Sequence, residues 1–295
     1  MEKLYNNLID NFQNLKYALL NAQTFNEEHY GFPPLYYKIM ETDEVRVNTY
    51  KRAFAHFNNF KGKVICEAGV GTLTLSKYFL PYVKKAYLIE NNPDLTDFIK
   101  KELTKNGWAD KVEFIVGDAM KVHLPEKVDF VIGELMSIYC ANEYQVQIFK
   151  HLRKFLKPDG HLIPEKIINM VQLGNAKFEN GYTHYPINFT RHHPELLTSQ
   201  EVLNTINLYK ASRFNIKKIT SLKPHLSGTA NCIYMNSWIQ LTKGINFTGT
   251  DSLMPPTVKL LEEPIDLKAG SRVKLHSNFT YGTDLDVAKF TARQT

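Results

Sequence analysis

Glu134 and Glu143 bracket an eleven-residue loop that opens at Gly133 and follows the apolar run of residues 128–133. Two carboxylates on one short loop at a strand end are suited to holding a cation. Upstream, residues 64–68 read as a buried strand, and Gly69 and Gly71 stand in the turn after it. Glycines at such a turn let backbone come close to a ligand. The next apolar run, residues 87–90, ends in Glu90. That acid lies about twenty residues beyond the glycines, the spacing at which a strand-end carboxylate binds ribose hydroxyls. A nucleoside cofactor is implied.

These residues need elements to hold them. Strand candidates at residues 64–68, 87–90, 112–116, 128–133 and 161–163 alternate with helical stretches at 72–80, 93–106 and 143–155. Such alternation predicts an α/β fold with a Rossmann-like, doubly wound, mostly parallel sheet. Ligands bind outside the carboxyl ends of strands in these sheets, and Glu67, Gly69, Glu90, Asp118 and Glu134 all fall at such ends. Helical spacing of apolar residues also predicts helices over residues 4–20 and 43–57. After Pro164 the chain turns to short runs rich in Thr, Asn, Val and Ile, broken by glycines. This predicts a β-rich, barrel-like second domain with strands at 238–242 and 273–278, and Trp238 reads as a core residue. The expected division is residues 1–60 as N-terminal helices capping the cofactor site, 61–164 as the cofactor-binding domain and 165–295 as a β-rich substrate domain.

Composition narrows the class. A 295-residue chain that is 43% hydrophobic can bury one large core or two modest ones, which excludes disordered and fibrous classes. The net charge of +6 is spread without a long Lys/Arg run, so an ordinary solvated surface is expected and no nucleic-acid partner. Cys66, Cys140 and Cys232 are odd in number and widely spaced, which points to reduced thiols rather than a disulfide framework or zinc. His184, His192 and His193 lack a carboxylate or cysteine at ligand spacing, so no metal is expected. No apolar stretch approaches the roughly 20 residues that span a bilayer. The N-terminus, Met1-Glu2-Lys3, opens no signal-peptide core, so no membrane partner and a cytoplasmic location are expected.

The turn Glu67-Ala68-Gly69-Val70-Gly71, the acid Glu90 and the segment Gly117-Asp118-Ala119 resemble those of class I S-adenosylmethionine-dependent methyltransferases. Two further segments resemble the protein arginine methyltransferases in particular. Met40 to Arg46, followed by Thr49-Tyr50, is similar to the segment in which that family's Met and Arg touch the cofactor. The loop from Glu134 to Glu143 is similar to its double-glutamate loop and keeps the spacing of the two acids. Asn236-Ser237-Trp238-Ile239-Gln240 is similar to the family's Thr-His-Trp-Lys-Gln stretch, with Ser237 where the family has histidine. Leu135 replaces the tryptophan of the glutamate loop. The stretch from Met170 to Met235 is short for the family's dimerisation arm, so a homodimer would not use it.

The resemblance implies S-adenosylmethionine as cofactor and methyl transfer to a guanidino group, on arginine free or in a protein. Glu134 and Glu143 would clamp the guanidinium. Met40, Arg46, Glu67, Gly69, Gly71, Glu90, Asp118 and Ala119 would bind the cofactor. Arg46 would pair with its methionyl carboxylate, Glu67 would lie near its amine and Asp118 would accept from its adenine amino group. A small-molecule enzyme acting on a non-guanidino amine, or an inactive scaffold that retains the fold, are the alternatives.

Overall fold

Asp43 starts the first described helix, α1 (Glu44–His56), by accepting from Arg46 N–H at 3.1 Å. This satisfies one of the donors a helix leaves open at its first turn. The helix buries Val47, Tyr50, Ala53 and Phe54, which recur every three or four residues along one face. Tyr50 reaches across to donate its phenol proton to the Gly133 carbonyl at 3.0 Å. The computed structural model describes residues 37, 40–178, 181–187, 193–249 and 254–294. The helix expected over residues 4–20, together with Tyr30, Tyr36 and His192, lies outside them.

Strands β1 (Val64–Ala68) and β2 (Lys85–Glu90), helix α2 (Thr96–Lys105), strands β3 (Val112–Val116) and β4 (Val128–Gly133), helix α3 (Gln145–Leu152) and strand β5 (Leu156–Ile163) follow in chain order. The sheet runs β3-β2-β1-β4-β5 with every pair parallel. All five residues of β1 are buried, as a central strand covered on both faces requires. The chain winds outward to β2 and β3 on one side of β1, then crosses to β4 and β5 on the other. The loops after β1 and β4 therefore diverge at the switch point of the sheet, where such folds form a crevice.

Residues 72–80, expected as a helix, form turns with one short 3₁₀ segment at Ser76–Tyr78. Local chemistry explains the difference. Leu73 takes a left-handed φ of 63°, Gly71 N–H is held by Glu90 Oε2 at 2.8 Å, and the Thr72 hydroxyl donates to Glu41 at 2.7 Å. Fastening the chain at these points competes with helix winding.

The remaining strands are β6 (Lys166–Asn175), β7 (His184–Pro186), β8 (Glu195–Leu196), β9 (Glu201–Asn207), β10 (Asn215–Leu222), β11 (Gly228–Thr242), β12 (Ile245–Thr248), β13 (Thr257–Leu267), β14 (Val273–Thr280) and β15 (Lys289–Gln294). They form an antiparallel seven-stranded sheet centred on β11 and β6, and a three-stranded sheet β10-β14-β15. Helix α1 packs its apolar face onto this half, with Tyr50 against Phe247 of β12. Trp238 is 41% exposed, not a core residue; its neighbours Ser237 and Ile239 are the buried ones. Strand alternation permits either phase, and here the small polar residue faces inward.

Candidate active site

The first turn of α1, the glycine turn after β1, the loop after β4 and strand β11 converge at the switch point. Arg46 is the hub. Its Nε lies 3.2 Å from Asp43 Oδ2 and its Nη1 lies 2.9 Å from Glu134 Oε2, with all three side chains nearly buried. Its Nη2 also donates to the Met40 carbonyl at 3.5 Å. Glu143, at the far end of the loop, feels the charges of both Glu134 and Arg46. The fold thus brings Arg46, Glu134 and Glu143 together. It adds Asp43, the residue that caps α1.

Burial dominates the electrostatics. It pushes the Glu143 carboxyl up to about 8, helped by repulsion from Glu134 and opposed by Arg46. Glu134 is raised by burial too, but the adjacent Arg46 guanidinium pulls it back. Glu67, at the end of β1, is pushed up to about 8 by burial even though Ser76 donates a hydrogen bond to it. Between the ordinary carboxyl range and about pH 8, the folded chain holds protons that the unfolded chain has released. Stability then falls as pH rises through that window. The thermal midpoint of the ligand-free protein is expected to decline from about pH 5 to about pH 8 and then level off. A midpoint that climbs across this interval would contradict the assignment.

Gly69 and Gly71 have φ of 70° and 52°, in the left-handed region. A Cβ on Gly69 would overlap the Leu135 side chain, and one on Gly71 would stand 2.9 Å from the Tyr37 ring. Glu90 accepts from Gly71 N–H at 2.8 Å and from Asn92 N–H at 2.9 Å, one bond to each oxygen. Each oxygen keeps a lone pair for another donor. Asp118 accepts from Met120 N–H at 2.8 Å and pairs with Lys121 at 3.2 Å, while Ala119 is buried beside it.

The glutamate loop is under backbone strain. Tyr139, Cys140 and Asn142 have φ of 59°, 52° and 59°. Such conformations cost roughly 1–3 kcal/mol each for residues other than glycine and persist where surroundings enforce them. Here Gln145 Oε1 accepts from Leu135 N–H, Gly282 N–H donates to the Cys140 carbonyl, and the Tyr139 hydroxyl donates to the Met170 carbonyl, each at 2.8 Å. Asn142 N–H adds a bond to the Thr283 carbonyl at 3.2 Å. Sequence reasoning missed Asp43, Gln145 and the 281–283 segment as parts of this site.

Residues 65–160 match the family model of a methyltransferase domain. The chain carries a class I methyltransferase domain. S-adenosylmethionine is the cofactor of that domain, and the residues present suit it. Glu67 is a buried carboxyl that accepts from the Ser76 hydroxyl, and among the described residues no salt bridge to it is found, which suits it to receive an ammonium. Glu90 offers acceptors to hydroxyls, and the glycine turn leaves the β1 end without side chains at two points.

Along most of its length the chain has the fold of two solved structures. One is a chain of the PRMT1 enzyme–prozyme heterotetrameric complex with AdoHcy from Trypanosoma brucei: TM-score 0.71, 17% identity, 90% of this chain and 98% of that one covered. The other is Arabidopsis thaliana protein arginine methyltransferase 10: TM-score 0.71, 16% identity, 83% and 87% covered. The sequence is also 27% identical to an uncharacterised protein of Methanocaldococcus jannaschii, covering 87% of this chain and 96% of that one. The β-rich half beside the methyltransferase domain is therefore part of the shared architecture.

One expectation changes away from this site. His184, read as lacking a carboxylate partner, lies 3.1 Å from Asp286 and close to Asp284, which folding brings in from about a hundred residues away. Lys259 supplies a positive charge there, 3.9 Å from Asp286. Among the described residues no helix is long and apolar enough to cross a membrane.

Proposed function

We propose that this chain transfers a methyl group from S-adenosylmethionine to a nitrogen of a guanidino group, carried by arginine either free or within a protein. One observation carries the reading: Asp43 and Glu134 pair with a single guanidinium, that of Arg46, and the buried Glu143 carboxyl lies within electrostatic reach of both Glu134 and Arg46. A surplus of buried carboxylates is costly unless a cation joins it. A second guanidinium brings that charge together with N–H donors in a planar fork that matches carboxylate oxygens. The 2.9 Å contact to Arg46 supports this, because Glu134 already grips one guanidinium.

When bound, S-adenosylmethionine supplies an activated methyl group on its sulfonium. A guanidinium arrives protonated and has no free lone pair. Glu134 and Glu143 take up its N–H donors, draw positive charge away from the attacking nitrogen and aim that nitrogen in line. Glu143, with its raised proton affinity, holds the proton the nitrogen gives up as the new N–C bond forms and the methyl group's bond to sulfur breaks, leaving S-adenosylhomocysteine. Asp43 and Glu134 orient Arg46 toward the cofactor's carboxylate, with Met40 beside it. Glu67 faces the methionyl ammonium, Glu90 the ribose hydroxyls, Asp118 and Ala119 the adenine, and Gly69 and Gly71 admit the backbone approach. In this reading residues 1–60 cap the cofactor site, 61–164 bind the cofactor and 165–295 wall the acceptor side.

A cationic acceptor and a proton compete for Glu143. Acceptor affinity is therefore expected to rise with pH and to level off above about 8. Measuring kcat/KM for an arginine-containing peptide from about pH 6 to about pH 9 checks this. A flat profile would remove Glu143 from the clamp.

A further inference from the structure

Ser237 stands on β11 directly opposite Asn169 of β6, and Asn169 stands opposite Asn204 of β9. The three side chains line one row across three adjacent strands and hydrogen-bond along it. Tyr139 N–H, at the strained apex of the glutamate loop, donates to Ser237 Oγ at 3.0 Å. The Ser237 hydroxyl donates to Asn169 Oδ1 at 2.8 Å, Asn169 Nδ2 to Asn204 Oδ1 at 3.0 Å, and Asn204 Nδ2 to the Tyr281 hydroxyl at 2.6 Å. The next residue, Gly282, returns to the loop through its bond to the Cys140 carbonyl. The path leaves the loop at Tyr139 and re-enters it at Cys140, so it is closed.

We infer that this ring is the device that holds Glu134 and Glu143 at their working separation, and that Ser237 and Asn169 are its positioning residues. Ser237 and Asn169 are both fully buried, where an unneeded polar group would be costly. Each satisfies its neighbour: Ser237 accepts from the loop and donates to Asn169, and Asn169 passes the row on to Asn204. The backbone atoms they fix belong to Tyr139 and Cys140, whose left-handed conformations need outside support. Serine at position 237 suits the task because one small hydroxyl accepts from the loop and donates to Asn169 at the same time. No member of the row titrates near neutrality, so the grip stays constant while Glu143 exchanges its proton.

The test combines two measurements on the full chain in the presence of S-adenosylhomocysteine. Hydrogen–deuterium exchange is expected to quicken about tenfold in peptides covering residues 136–142 of Ser237→Ala, with residues 64–71 unchanged. Tyr281→Phe keeps its ring and loses only the terminal acceptor, so it should show a smaller change of the same kind even if Ser237→Ala folds poorly. Turnover on free arginine and an arginine-containing peptide should fall roughly 100-fold in Ser237→Ala with cofactor affinity intact, as for a misplaced rather than missing group. Adding Asn169→Leu should cost little more, because the row is already broken. Unchanged loop exchange would overturn the inference, as would a loss of cofactor affinity equal to the loss of turnover, or fully additive effects of the two substitutions. Only the turnover arm rests on the proposed guanidino reaction. If the parent protein methylates neither acceptor, that reaction is wrong and the exchange arm still decides the role of the ring.

Discussion

Glu143→Gln is expected to lower turnover on a guanidino acceptor by roughly 10²–10³-fold while leaving affinity for S-adenosylhomocysteine within about twofold. The substitution keeps volume and removes a titratable acid from a buried site where Asp43 and Glu134 already pair with Arg46. It also puts an amide N–H₂ where the acceptor's own N–H donors should find only oxygens. The rise of acceptor affinity with pH that Glu143 causes should vanish, while the titration of Glu67 remains. Loss of fold is distinguishable: removing a buried carboxylate that must ionise at high pH should leave the variant at least as stable as its parent above about pH 8. Isothermal titration with the cofactor product, steady-state rates and a thermal scan together read the outcome. Parental turnover would refute the clamp, and a parallel collapse of cofactor binding would make Glu143 a cofactor residue instead.

Gly69→Val should abolish measurable cofactor binding, a loss of more than about 100-fold. Valine at φ 70° is forced into a region that costs roughly 1–2 kcal/mol, and its Cβ runs into Leu135. The Leu135 side chain already fills that space and must move to admit the valine. Gly107 separates strain from site. Its φ is 69° at the end of α2, and nothing lies near its absent side chain. Gly107→Val should lower the thermal midpoint by a similar backbone cost and leave cofactor affinity unchanged. Normal affinity in Gly69→Val would disprove the glycine-turn assignment.

The parallel half was legible because its central strands read as apolar runs that end in acids. Residues 64–68 and 128–133 match β1 and β4, and the chain order of strands and helices carries the doubly wound sheet. The stretch 72–80 misled because its apolar spacing suits a helix, while Glu90 and Glu41 fasten Gly71 and Thr72 in a turn. Those contacts join residues about twenty and thirty apart, which periodicity does not report. Glu134 and Glu143, the acids of the proposed clamp, could be picked out together because they stand on one loop. The ion pair of Arg46 with Glu134 was not legible, since it depends on α1 lying across the end of β4. Ser237, Asn169 and Asn204 each look like an ordinary polar residue in a strand. Only the registers of β11, β6 and β9 set them side by side, and registers follow from pairing partners rather than from a strand's own residues.

The central claim is the acceptor. Mass spectrometry after incubation with S-adenosylmethionine, offering free arginine, other small guanidines, arginine-containing peptides and matched lysine peptides side by side, tests it most directly. The expected result is a gain of one methyl mass on a guanidino nitrogen, absent when Glu143→Gln replaces the parent protein. Methylation of the lysine peptides alone, or no transfer to any acceptor by a protein that binds the cofactor, would contradict it.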